Sequence, residues 1–167
     1  MGSDAPASRP HLLAGLIIAV LAIVVDLVLP LQMKTVPDTA RLNMRLAIVL
    51  AGVLAACFWQ AKKSGMGRFN EVFAYGFKVT TLLAFVLALY TWIAVKFIYP
   101  PPTAAEMEAA IKAIEAQGNS LHEEARLAAE KAAANRWIVY VSATIFSVLL
   151  PGVAASAIAG LFAKKNT

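Results

Sequence analysis

Two residues bring charge into otherwise apolar sequence, and their signs are opposite. Asp26 stands in LLAGLIIAVLAIVVDLVL, and Arg45 stands in RLNMRLAIVLAGVLAACFW. A carboxylate at the centre of a membrane helix costs ~2.5–3.5 kcal/mol on insertion scales. Asp26 is about one helical turn from Pro30, near the end of its run, which lowers that cost. Arg45 lies at comparable depth across the loop QMKTVPDTAR. Two chemistries follow. Together the charges form a structural ion pair; apart, the carboxylate becomes an ion site for a proton or a cation. The ion pair is the simpler reading, because each charge lessens the other's penalty.

The remaining reactive side chains form no constellation. Lys78 and Lys96 fall near opposite ends of one apolar run, where a long stem carries the ammonium to the headgroup level. His11 and His122 are far apart. Cys57 is the single cysteine and sits among alanines, so it reads as a small packing residue and forms no internal disulfide. No Ser/His/Asp set, phosphate-binding loop or HExxH pattern occurs. The chain therefore reads as non-enzymatic, with no cofactor and no metal site.

The elements that must position these residues are apolar helices. The composition is 60% hydrophobic and 15% charged, with mean hydropathy +0.69. Soluble domains have about 45–50% and about 25%. Four apolar runs stand out: Leu12–Leu29, Leu46–Trp59, Val79–Ile98 and Trp137–Phe162. At 1.5 Å per residue, three of them reach across a hydrocarbon core of about 30 Å. The second reaches it once Leu42–Arg45 are counted. Leu12–Val25 is apolar all round, which a soluble surface helix is not. The expected fold is all-α, a polytopic membrane protein with a four-transmembrane-helix bundle. The weakly basic start, with Arg9 and His11, lacks a clear cleavage site and reads as an uncleaved first span.

Spans are expected from about His11 to Leu31, Thr39 to Gln60, the residues up to Tyr99, and Trp137 to Lys164-Lys165. Residues 1–10 read as a disordered tail, and 11–167 as one membrane domain. In RFNEVFAYGFK, Phe69, Val72, Phe73, Gly76 and Phe77 make an apolar stripe that suits an opening turn along the interface. Pro100-Pro101-Pro102 stops the third helix. Between spans 3 and 4, residues 103–136 are polar, with capping boxes at Thr103/Glu106 and Ser120/Glu123 around Gly118-Asn119. They predict a helical hairpin, 104–117 and 121–135, outside the cytoplasm. Pro151-Gly152 inside the last span predicts a local kink.

Basic residues near span ends set orientation. Arg9, Lys62, Lys63, Arg68, Lys164 and Lys165 favour both termini inside, against Lys34, Arg41 and Arg45 in the short outer loop. The net charge of +5 and pI near 9.5 reflect these flanks and imply no nucleic acid. Small residues recur at four-residue spacing: Gly15 and Ala19, Gly52 and Ala56, then Gly152, Ser156 and Gly160. Such faces let helix backbones approach closely. They serve either internal packing or self-association.

The order of parts resembles a known group. Two spans and a basic loop lead into GRFNEVFAYGFKVT, a third span, an Ala/Glu-rich excursion and a final small-residue span ending in lysines. Phe69, Glu71, Phe73, Gly76 and Phe77 carry the similarity most specifically. The chain resembles a family of uncharacterised bacterial four-span inner-membrane proteins, a domain of unknown function. The resemblance implies a fold and a bacterial inner membrane, and no activity. The expected role is an accessory or scaffold component acting through helix packing and its polar hairpin. Its partners would be the bilayer and other membrane proteins or a second copy. The alternative is a small transporter or channel, in oligomeric form, with Asp26 and Arg45 near the path.

Overall fold

The computed structural model describes residues 9–32, 38–98, 101–117 and 122–163, with all their side chains except those of 29–32, 38–42 and 117. Every element within them is a helix. They are α1 (Pro10–Gln32), α2 (Asp38–Ser64), α3 (Phe69–Ile93) with a π-helical turn (Ala94–Ile98), α4 (Ala104–Gln117), α5 (His122–Ala134) and α6 (Arg136–Ala163). Four stretches are long and apolar enough to cross a membrane: Pro10–Val28, Asn43–Ser64, Phe69–Ile98 and Arg136–Ala163. The protein is an all-α, multi-pass membrane protein. The tail 1–8, the turn at Gly118-Asn119 with the Ser120 cap, and Lys164-Lys165 lie outside the described residues.

Local chemistry accounts for the helix ends. Pro10 takes the first position of α1, where its missing N–H is not needed. α2 ends in Lys62 and Lys63, cations beside the negative end of the helix dipole. Gly65 then adopts φ +63°, a left-handed conformation that glycine tolerates best. The Met66 N–H returns to the Ala61 carbonyl at 3.1 Å, the longer bond of a Schellman cap. At the start of α4 the capping box is complete. The Glu106 carboxylate accepts the Thr103 N–H at 2.7 Å, and the Thr103 hydroxyl accepts the Glu106 N–H at 3.2 Å.

By packing, the chain divides into two units, Met1–Ala88 with Thr144–Thr167, and Leu89–Ala143. The first unit is built inside out relative to a soluble protein. On α1, Ala19, Ala22 and Ile18 are buried, while Leu13, Leu16, Ile17, Val20 and Leu21 lie outward, each half exposed or more. Lipid tails are as apolar as leucine, so burying a large side chain brings no hydrophobic gain there. Helix association rests instead on close packing of small groups. The core comprises Val49, Val53 and Cys57 of α2, Val72, Val79, Leu83 and Leu87 of α3, and Val148, Ala155 and Ala159 of α6.

Phe69 to Phe77 opens α3, which runs unbroken from Phe69 to Ile93. Its stripe splits in two. Val72 and Gly76 are buried, with Tyr75 beside them. The rings of Phe69, Phe73 and Phe77 stack in a column, with centroids 5.6 and 6.3 Å apart. Close approach of a neighbouring helix claims the small residues, and the aromatic residues take the adjacent side. α6 likewise continues as helix through Pro151.

In the second unit, α4 and α5 pack against each other. Their seam is thin: Ala125 and Ala129 are the buried positions of α5. Glu115 near the end of α4 meets His122 at the start of α5, at 2.6 Å. The Arg136 guanidinium donates to the Val95 carbonyl of the π turn at 3.3 Å. That bond ties the start of α6 to the π turn that ends the third apolar stretch.

Candidate functional site

The first unit brings Asp26 and Arg45 together. Arg45 Nη2 stands 3.3 Å from Asp26 Oδ2, so α1 and α2 are joined by an ion pair. Arg45 Nη1 also donates to the Thr144 hydroxyl of α6 at 3.4 Å. Thr144 is buried, and its carbonyl accepts the Ser147 hydroxyl at 2.9 Å. One guanidinium on α2 thus touches groups from α1 and α6. Its planar fork suits this, since it presents several donors in fixed directions.

The pair is largely withdrawn from the surface, with side-chain exposure of 20% for Arg45 and 13% for Asp26. Both contacts are longer than the about 2.7–2.9 Å of a tight charge-assisted bond. The arrangement neutralises charge and ties helices; each bond in it is of modest strength.

The small residues mark where helices approach most closely. A methyl group on Gly15 would meet Leu82 at 2.9 Å and the Val79 carbonyl at 3.2 Å, so α1 lies close to the α3 backbone there. A methyl group on Gly52 would come within 2.9 Å of Ile18, the contact of α2 with α1. Gly152 leaves no room for a methyl group beside Thr80, and a methyl group on Gly160 would come within 2.7 Å of the Phe69 ring. Ala19 and Ser156 are fully buried, and Ala56 packs against the core from its edge. The Ser156 hydroxyl donates to the Gly152 carbonyl at 2.7 Å, so its polarity is satisfied within α6.

Sequence reasoning missed two participants. Thr144 is one of several hydroxyls in the spans, and only its depth relative to Arg45 hinted at a role. Gly76 entered the sequence reading through a different pattern. A methyl group there would strike the Ser156 hydroxyl and come within 2.6 Å of Cys57 Sγ. Gly76 is therefore where α2, α3 and α6 meet, and Cys57 is small because that space is shared.

No curated protein and no solved structure matches the chain. A match over residues 12–165 takes in all the spans, the charged node and the small-residue faces. On that match, the chain belongs to the family described as protein of unknown function (DUF4199).

Proposed function

We propose that this protein is a non-enzymatic accessory or scaffold component of a bacterial inner membrane. Both termini face the cytoplasm, and the α4–α5 pair lies on the opposite side as a polar hairpin. The observation that carries the reading is the contact of Asp26 with Arg45 at 3.3 Å, extended to Thr144. A charge pair committed to joining helices serves assembly. Exposed charges on α4 and α5, Glu108, Lys112, Glu123, Arg126 and Glu130, give the hairpin a polar face for a second copy or another membrane protein. Arg9, Lys62, Lys63 and Arg68 support the orientation, since basic flanks stay in the cytoplasm.

Purification in mild detergent, with and without residues 104–134, tests the role. A stoichiometric partner or oligomer that is lost on deletion is expected. The rival is transport through a path near Asp26 and Arg45. Proton or cation flux in proteoliposomes that Asp26→Asn abolishes would replace the scaffold reading with it. For orientation, alkaline phosphatase and an export-sensitive fluorescent protein are fused separately at Thr167. A bright fluorophore and inactive phosphatase are expected.

A further inference from the structure

The second unit holds a cavity that neither the charged node nor the scaffold reading uses. It has about 220 Å³ of space and is lined by Val95, Lys96, Pro101, Pro102, Ala133, Ala134, Arg136 and Trp137. Its two charged lining residues, Lys96 and Arg136, are both cations. Arg136 is held in place by its bond to the Val95 carbonyl at 3.3 Å, so its guanidinium is pre-positioned at the wall. The Glu106 carboxylate feels the charge of Arg136, and its Oε2 accepts from the Thr103 N–H and hydroxyl. Helix ends of opposite sense meet here, the end of α5 and the start of α6, so their backbone dipoles offset. The side chains decide the sign, and that sign is positive.

The place is as informative as the charge. Lys96 is in the last turn of the third apolar stretch and Arg136 in the first turn of the fourth. Trp137 lines the cavity, while Trp92 and Tyr140 lie one or two turns along the same two spans. Tryptophan and tyrosine favour the headgroup level of a bilayer. Two cations, an indole and an apolar floor of Val95, Ala133 and Pro102 match a phosphate ester whose other end is apolar.

We propose that this cavity binds the phosphate of an anionic phospholipid, with Lys96 and Arg136 on the phosphate oxygens and Trp137 against the glycerol region. The inference stands whether the protein scaffolds or transports, because it uses none of the node residues.

Native mass spectrometry of the full chain in mild detergent provides the test. Dioleoyl phosphatidylglycerol and dioleoyl phosphatidylcholine are titrated separately. The anionic lipid should bind more tightly, and Lys96→Gln should weaken it about fivefold, the effect of one cation near a charged membrane surface. Phosphatidylcholine binding should not change. Arg136→Lys keeps the charge but loses the fork, and should weaken phosphatidylglycerol binding without matching Lys96→Gln. Lys112→Gln removes the same net charge from α4, away from the cavity, and should leave binding as it is. Equal affinity for the two lipids, or equal losses in Lys96→Gln and Lys112→Gln, would overturn the proposal. Millimolar inorganic phosphate distinguishes the source of the ligand. Displacement of the lipid would assign the cavity to free phosphate, and retention, the expected result, assigns it to the lipid. Thermal melts of each variant show that it is folded, so a loss of binding is read only on intact protein.

Discussion

Asp26 and Glu108 each face a cation, in surroundings that share little. Asp26 is 13% exposed and reaches across helices to Arg45 at 3.3 Å. Glu108 is 67% exposed and meets Lys112 at 2.8 Å on its own helix. The shorter contact is the weaker support, because water competes for it and the pair lies within one helix. The longer one spans two helices in an apolar stretch, where few groups can replace either partner. The same contrast runs through the apolar residues. The first unit packs Gly76 tightly against Ser156 and Gly152 against Thr80, and turns leucines outward. In the α4–α5 pair alanines alone fill the buried positions of α5. Distance alone does not rank these contacts; what surrounds them does.

The sharpest way to break that contrast is to add volume. Gly152→Leu forces a side chain into space held by Thr80, and overpacking costs ~1–3 kcal/mol. Ala154→Leu, on the exposed side of the same helix, should leave the detergent melting temperature nearly unchanged. Equal shifts would mean that the glycine face is not a tight contact.

A smaller effect is expected at the node. Arg45→Ala and Asp26→Ala should each destabilise, by about 1–3 kcal/mol for a lost bond to a charged group. The double variant should lose less than the sum, since the second change removes an interaction already gone. Thr144→Val should lose less than Arg45→Ala, because it removes one neutral partner. Lys112→Ala should shift the melting curve little if at all. Additive losses for Asp26 and Arg45 would show that their proximity carries no energy.

The smallest effect is a pH dependence of α4. The Thr103 backbone N–H, then its hydroxyl, and then Arg136 hold the Glu106 carboxyl below the ordinary carboxylate value. Lys112 lowers Glu108 in the same direction, and Glu108 raises Lys112 in turn. A lowered acid stabilises above its unfolded value, and that support fades as pH falls through the lowered one. A raised lysine stabilises below its unfolded value and loses that support as pH rises through the raised one. α4 should therefore be most helical between the two limits. Carbon chemical shifts of residues 104–116 in detergent, followed across pH, should show slight fraying at both extremes. A profile that improves steadily into acid would contradict the capping box as the source.

Much of the fold was legible because its signals are local. Apolar runs mark the spans, and Thr103 with Glu106 marks the start of α4, whereas α2 continues past its expected end at Gln60 to Ser64, carrying Lys62 and Lys63 in its last turn. The packing of Phe69–Phe77 was less legible, for a physical reason. A helical stripe of mixed sizes fits either an interface or a packed wall, and hydrophobicity does not separate them. Only the neighbour that presses on Gly76 does.

The sequence by itself determined that four helices are apolar enough for a membrane, that a polar Ala/Glu-rich segment separates the last two, and that Asp26 and Arg45 are the charges in need of a partner. These are properties of composition and depth along single helices. Tertiary structure decided that Arg45 reaches Thr144 as well as Asp26, that Gly76 shares its space with Cys57 and Ser156, and that Lys96 and Arg136 line one cavity. Those outcomes depend on how each helix is rotated about its own axis. In an apolar solvent that rotation follows from which small surfaces fit together, and hydropathy does not encode fit.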